Sequence, residues 1–245
     1  MTFDAHPRSS LIVALDFDSL STALKFAEKI ADLVGMFKVG SQLFTAAGPE
    51  AVRQIAKLNA DIFLDLKYHD IPNTVAGAVL GAAALPNVQL VNVHALGGTV
   101  MMQAAAQAVS AGVPMGADRT RLLAVTLLTS MDSKTVREVG IGGPPKTRVV
   151  KLAKLSQKAG VDGVVASVQE AKSIRKACGR DFLIVTPGVR PRSADLKTDD
   201  QARTATPREA IKAGADFIVV GRPILAAGDP RAAAQEIVDE IASAK

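Results

Sequence analysis

Short apolar runs alternate with longer amphipathic stretches eight times along the chain, and each run closes in a polar or glycine-containing turn. The runs are "LIVALDF" (11 to 17), "FKVG" (37 to 40), "IFLDLK" (62 to 67), "LVNVHA" (90 to 95), "LLAVTLLTS" (122 to 130), "GVVAS" (163 to 167), "FLIVTPGV" (182 to 189) and "FIVVGR" (217 to 222). Runs this short and this continuously apolar predict strands buried on both faces, as in a parallel sheet. The stretches between them predict helices. "NADIF", "AGVDG" and "AGADF" put Asn or Gly where a helix must stop before the next strand, and "TPREA" puts Pro at a helix start.

Eight β-then-α units with no linker between them predict one (β/α)8 TIM barrel spanning residues 1–245. In that fold the chemistry sits at the C-terminal ends of the strands. Those ends carry Asp16, Lys38, Asp65 with Lys67, His94, Thr129 with Ser130, Ser167, Arg190, and Gly221 with Arg222. Strand alternation places Phe63, Asp65 and Lys67 on one face of the third strand and Ile62, Leu64 and Leu66 on the other. The charged face must look into the barrel mouth, because the apolar face has helices to cover. The same rule brings Asp16 and Lys38 to the mouth, while Asp70 lies in the turn before Pro72. His94, inward beside Asn92, reads as a hydrogen-bonded polar core residue.

Composition narrows the partners. Hydrophobic residues make up 48% and charged residues 22%, which fits a globular protein with a sizeable core. The 29 Lys and Arg exceed the 24 Asp and Glu by 5, suiting an anionic ligand without the clustering of a nucleic-acid footprint. With no Trp and one Tyr, stacking platforms for single strands are scarce. The lone Cys178 forms no internal disulfide and reads as a small buried hydrophobe. The start "MTFDAHPRSS" has no targeting pattern and no long apolar span follows, so the expectation is a cytoplasmic protein without a membrane segment.

From Ile71 to Ala117 there is no Asp, Glu, Lys or Arg, although two barrel helices fall in this span. An outer helix of a monomeric barrel shows charge to water. These two predict instead a face packed on a second subunit across a two-fold axis, with the leading turn of the first (Asp70, Ile71, Thr74) reaching the neighbour's site.

The block "DLKYHD" requires a reason to gather charges in an apolar segment. A structural ion-pair plug is a poor one, since desolvation offsets much of the Coulomb gain. A Schiff-base lysine needs a neutral amine, whereas two carboxylates flanking Lys67 favour the ammonium. A divalent metal on Asp65 and Asp70 would compete with Lys67. A lysine held as a cation is suited instead to stabilising and then protonating a carbanion beside it, while a carboxylate repels a departing anionic group. At the other side, "VVGRP" and "TPGVRP" supply Gly221, Arg222 and Arg190 where such barrels bind phosphate. The long polar segment from Arg190 to Thr206 reads as a lid, with Gln201 a candidate contact.

With these residues in place, the chain resembles the orotidine 5'-phosphate decarboxylase family over nearly its whole length. "ALDF", "KVG", "FLDLKYHDIPNT", "VNVHALGG", "VTLLTSM", "DGVVAS", "VTPGVRP" and "VVGRP" carry the resemblance, in that order. It implies a homodimeric, cofactor-free and metal-free lyase that converts orotidine 5'-monophosphate to uridine 5'-monophosphate (UMP) and CO2, the last step of pyrimidine nucleotide synthesis. It further implies Lys67 as the catalytic acid, Asp65 beside the substrate carboxylate and Asp70 entering from the other subunit. Asp16 and Lys38 resemble ribose contacts, with Lys38 also holding Asp65. Thr129 matches a residue near the pyrimidine, and Arg190, Gln201, Gly221 and Arg222 match the phosphate side. Tyr68 and Leu96 depart from the family's Phe and Ser. Two rivals stay open: Mg2+-using barrels with a similar Asp-x-Lys-x-x-Asp block, similar to hexulose-phosphate synthases, and a non-catalytic nucleotide sensor.

Overall fold

The computed structural model of the chain describes residues 6–111, 119–191 and 205–244. Eight parallel strands close into a barrel in sequence order: β1 (Leu11–Ala14), β2 (Met36–Gly40), β3 (Asp61–Tyr68), β4 (Val88–His94), β5 (Arg121–Val125), β6 (Gly163–Val165), β7 (Leu183–Thr186) and β8 (Phe217–Val220), which pairs back onto β1. Helices cross between successive strands on the outside, making a (β/α)8 TIM barrel.

Strand alternation sorts the core into two compartments. Ile12, Ala14, Met36, Phe63, Leu90, Leu123 and Phe217 fill the barrel interior. Their neighbours Leu11, Val13, Phe37, Leu64 and Val91 face outward into the layer beneath the helices. This is the split that the pattern of the third run predicts, with Leu66 turned to the outer layer.

Three apolar runs outlast their strands by three residues or more. β1 stops at Ala14, β5 at Val125 and β7 at Thr186, so Asp16, Thr129 and Arg190 stand on loops rather than on strand ends. The apolar pattern continues because Leu15, Leu127 and Val189 remain buried after the hydrogen-bonded ladder has ended. Hydrophobicity reports burial, not pairing.

The helix-ending signals are realised in the backbone. Asn59, Gly160 and Gly214 take positive φ of 54°, 84° and 100° just before β3, β6 and β8. Thr206 and Glu209 form a reciprocal capping box around Pro207 at the start of the helix Pro207–Lys212.

The N-terminal end of the barrel is tied by half-buried arginine–aspartate pairs. Arg175 donates to the carbonyls of Gly179, Arg180, Phe182 and Gly214 and, at 2.7 Å, to Asp216, which also accepts from the backbone N–H of Ile184. Asp162 accepts from Arg119 and from the N–H of Leu122 at the foot of β5. Cys178 is a buried free thiol. No helix among the described residues is long and apolar enough to cross a membrane.

One irregularity bears on the site. Leu64 pairs with Val91 and the next pair is Tyr68 with Val93, so four steps along β3 match two along β4. Inside this excursion Lys67 adopts φ +52°, the left-handed region that a non-glycine residue enters only at a steric cost.

Candidate active site

The C-terminal mouth of the barrel holds a cavity of about 310 Å³. Its charged half comes from β2, β3 and the loop that follows β1. Lys67 Nζ lies 2.7 Å from Asp65 Oδ1, Lys38 Nζ lies 3.5 Å from Asp65 Oδ2, and the same Lys38 ammonium donates to Asp16 Oδ1 at 3.1 Å. Ala14, Phe63, Val165 and Val219 form an apolar floor, and Thr129, Ser130, Gly188, Arg190, Gly221 and Arg222 line the remaining wall.

Asp65 anchors the cluster. Its side chain is 11% exposed and that of Lys38 12%, whereas Asp16 is 48% exposed. Burial pushes the Asp65 carboxyl upward, but the charges of Lys38 and Lys67, with hydrogen bonds from Lys67 and Asn92, outweigh it and hold the group below the usual carboxylate range. Each oxygen of Asp65 therefore faces its own ammonium, and Oδ1 also accepts from Asn92 at 2.7 Å.

The predicted residues divide into three groups. Asp16, Lys38, Asp65, Lys67, Thr129, Arg190, Gly221 and Arg222 all line the one cavity. Asp70, Ile71 and Thr74 do not: all three are exposed, Asp70 accepts at 2.6 Å from the N–H of Ile71, and none borders the cavity of its own chain. Gln201 lies outside the described residues.

Two departures from the sequence-based expectation concern β4. Asn92, to which the sequence pattern alone gives no role, is fully buried and bonded to both Asp65 and Lys67. A signal for it exists: Leu90, Asn92 and His94 share the inward face, and a polar residue there needs partners. His94 does not behave as a satisfied core residue. Its Nδ1 is buried with no hydrogen-bond partner among the described residues, and its ring lies beside that of His69, with centroids 5.5 Å apart. Burial, then His69 and Lys67, lower its pKa, with Asp65 opposing.

Among the described residues no group of three or more His, Cys, Asp or Glu gathers where a metal ion could be held.

The uncharged stretch also has a surface counterpart. Ile71, Leu80, Leu96 and Val100 are four of the six exposed large hydrophobics among the described residues. Val100 is 68% exposed. They belong to or flank the packed helices Pro72–Ala83 and Gly98–Ala111.

Comparison with known proteins agrees with this architecture. The profile of the orotidine 5'-phosphate decarboxylase / HUMPS family matches residues 9–237. An orotidine 5'-phosphate decarboxylase of Trichlorobacter lovleyi is 56% identical over 234 residues, covering 96% of this chain and 95% of that protein. One from Geobacter sulfurreducens is 54% identical over 96% of each. The crystal structure of orotidine 5'-phosphate decarboxylase from Lactobacillus acidophilus superposes with a TM-score of 0.83 at 40% identity, covering 94% of this chain and 98% of that one. By its fold, its site and this match over nearly its whole length, the chain belongs to the orotidine 5'-phosphate decarboxylase / HUMPS family.

Proposed function

We propose that the barrel mouth decarboxylates orotidine 5'-monophosphate to UMP and CO2, the last step of pyrimidine nucleotide synthesis, with Lys67 as the proton donor. The observation that carries this is the Lys67 ammonium lying 2.7 Å from the buried carboxylate of Asp65 in a cavity of nucleotide-binding size. Relatives at 54–56% identity bear the name of that activity.

The chemistry follows from the charges. Breaking the C6–carboxylate bond releases CO2 and leaves its electron pair on C6, in the plane of the ring, where the π system cannot spread it. A fixed cation is the remaining means of stabilisation. Lys67 supplies that cation and then a proton, forming the C6–H bond of UMP, and solvent reprotonates the amine. Asp65 stands beside the substrate carboxylate and favours its departure by repulsion, while Lys38 keeps Asp65 ionised and, with Asp16, meets the ribose. Thr129 contacts the pyrimidine. Arg190, Gly221 and Arg222 hold the phosphate, whose binding energy is remote from the bond that breaks. Gln201 is proposed to join them.

The second subunit completes the site in this reading. The apolar surface around Leu80 and Val100 pairs with its copy across a two-fold axis, and the turn carrying Asp70, Ile71 and Thr74 enters the neighbouring cavity, which fits their absence from the lining of this cavity in their own chain. Nucleotide synthesis sets the cytoplasm as the expected compartment.

A metal-dependent reaction is the rival. It requires an ion at Asp65, but both oxygens of that carboxylate already face ammonium groups, so the ion must displace one of them. Incubating the protein with orotidine 5'-monophosphate in EDTA and following the loss of orotate absorbance tests both points. Full turnover is expected, and turnover that returns only with Mg2+ favours the rival.

A further inference from the structure

We infer that Asn92 is a positioning residue that sets the Asp65 carboxylate and the backbone of Lys67 relative to each other, an inference that rests on the reading of Lys67 as the proton donor. The Asn92 side chain is fully buried on the inward face of β4. Its Nδ2 donates to Asp65 Oδ1 at 2.7 Å, and its Oδ1 accepts from the Lys67 N–H at 2.8 Å. The amide orientation is fixed by chemistry, since a carboxylate only accepts and a backbone N–H only donates.

The need for such a group comes from the backbone. Between Leu64 and Tyr68 the regular β3–β4 pairing is interrupted, and Lys67 sits in the interruption at φ +52°. A left-handed lysine persists only where its surroundings hold it. The Asn92 carbonyl holds its N–H, and the other end of the same amide holds the oxygen that Lys67 Nζ approaches. One planar group thereby spans the carboxylate and the residue that carries the acid. Replacement by leucine would fill the space but leave a buried N–H and a buried carboxylate each short of a partner. Replacement by aspartate keeps the acceptor, removes the donor and sets a second anion against Asp65.

The test measures kcat, KM for orotidine 5'-monophosphate, UMP affinity and melting temperature for Asn92→Ala and Asn92→Asp. The expected result is a fall in kcat of about 100-fold, the scale of a small misplacement of a reacting group. KM and UMP affinity should stay within about threefold, because the phosphate side is untouched. In Asn92→Asp the two facing carboxylates share a proton, so its kcat–pH profile should gain an ionisation that the parent chain and Asn92→Ala lack. A merely structural asparagine would not produce that signature. Should Asn92→Ala fail to fold, the isosteric Asn92→Asp decides alone. A folded Asn92→Asp with parental kcat and no added ionisation overturns the inference, and so does loss of the fold in both variants. Lys67→Ala, assayed alongside, separates the two levels: retained turnover there defeats the Lys67 reading, whereas collapse there with a parental Asn92→Asp defeats only the role of Asn92.

Discussion

Lys38 Nζ stands 3.5 Å from Asp65 Oδ2, on the opposite oxygen from the one that Lys67 engages at 2.7 Å. Asp65 therefore keeps a cation when Lys67 is removed. Lys67→Ala should fold with a near-parental melting curve while turnover drops on the order of 10⁴-fold or more, the combined loss of a proton donor and a charge at the reacting carbon. Circular dichroism melting and orotate absorbance check the two halves separately. Parental turnover in a folded Lys67→Ala chain would remove the mechanism.

Gly40 closes β2 beside that shared cation. A Cβ at Gly40 would stand 2.7 Å from Lys38 Nζ, while the backbone there, at φ −96° and ψ −177°, accepts any residue without strain. Gly40→Ala should thus displace the ammonium rather than the chain, lowering kcat by about tenfold to 100-fold at little cost in stability. In a Lys38→Ala background the same substitution should add almost nothing, since the atom it clashes with is gone. Equal losses in both backgrounds would show that Gly40 acts through the backbone instead.

Two groups give stability an acid slope, each in its own window. The folded pKa of Asp65 is lowered, so its contribution is present above the unfolded carboxylate value of about 4 and is lost as pH falls through the folded value. The folded pKa of His94 is also lowered: below about pH 6.5 the unfolded chain binds a proton that the native chain refuses, and stability declines as pH falls toward the native value. Urea midpoints measured across pH should show His94→Gln flattening the upper limb and Asp65→Asn flattening the lower one. A His94→Gln chain with the parental slope near neutrality would contradict this account.

The proposed trans contribution of Asp70 has a direct readout. Lys67→Ala and Asp70→Asn should each be nearly inactive alone. Mixed and allowed to exchange subunits, they should recover about a quarter of parental activity, because half of the dimers are mixed and each mixed dimer has one complete site. Val100→Glu, which puts a charge into the exposed apolar patch, should shift sedimentation toward the monomer and lower activity with it. Failure of the mixture to regain turnover would place Asp70 in its own chain's site or outside the chemistry.

The barrel and most of its mouth are legible in the sequence because they rest on local rules. Alternation in "IFLDLK" points Asp65 and Lys67 inward, and the eight apolar runs mark the strands whatever the helices do. What the sequence hides rests on relations between strands. Nothing within β3 announces that Lys67 turns left-handed, since that follows from its register against β4. Asn92 gains its role only when β4 lies beside β3, and the His94 ring meets that of His69 only because the ends of those two strands are neighbours. The run lengths mislead at Asp16, Thr129 and Arg190 for a similar reason, as a loop buried beneath helices is as apolar as a strand.

Arg175 and Asp162 with their partners clamp the barrel at the rim farthest from the cavity, using charges that touch none of the residues assigned to substrate. Durability and reactivity thus have separate addresses in this chain. Substitutions at the clamped rim can drift or be engineered for heat tolerance without altering turnover, and a variant weakened at the mouth has a distant place from which to be rescued.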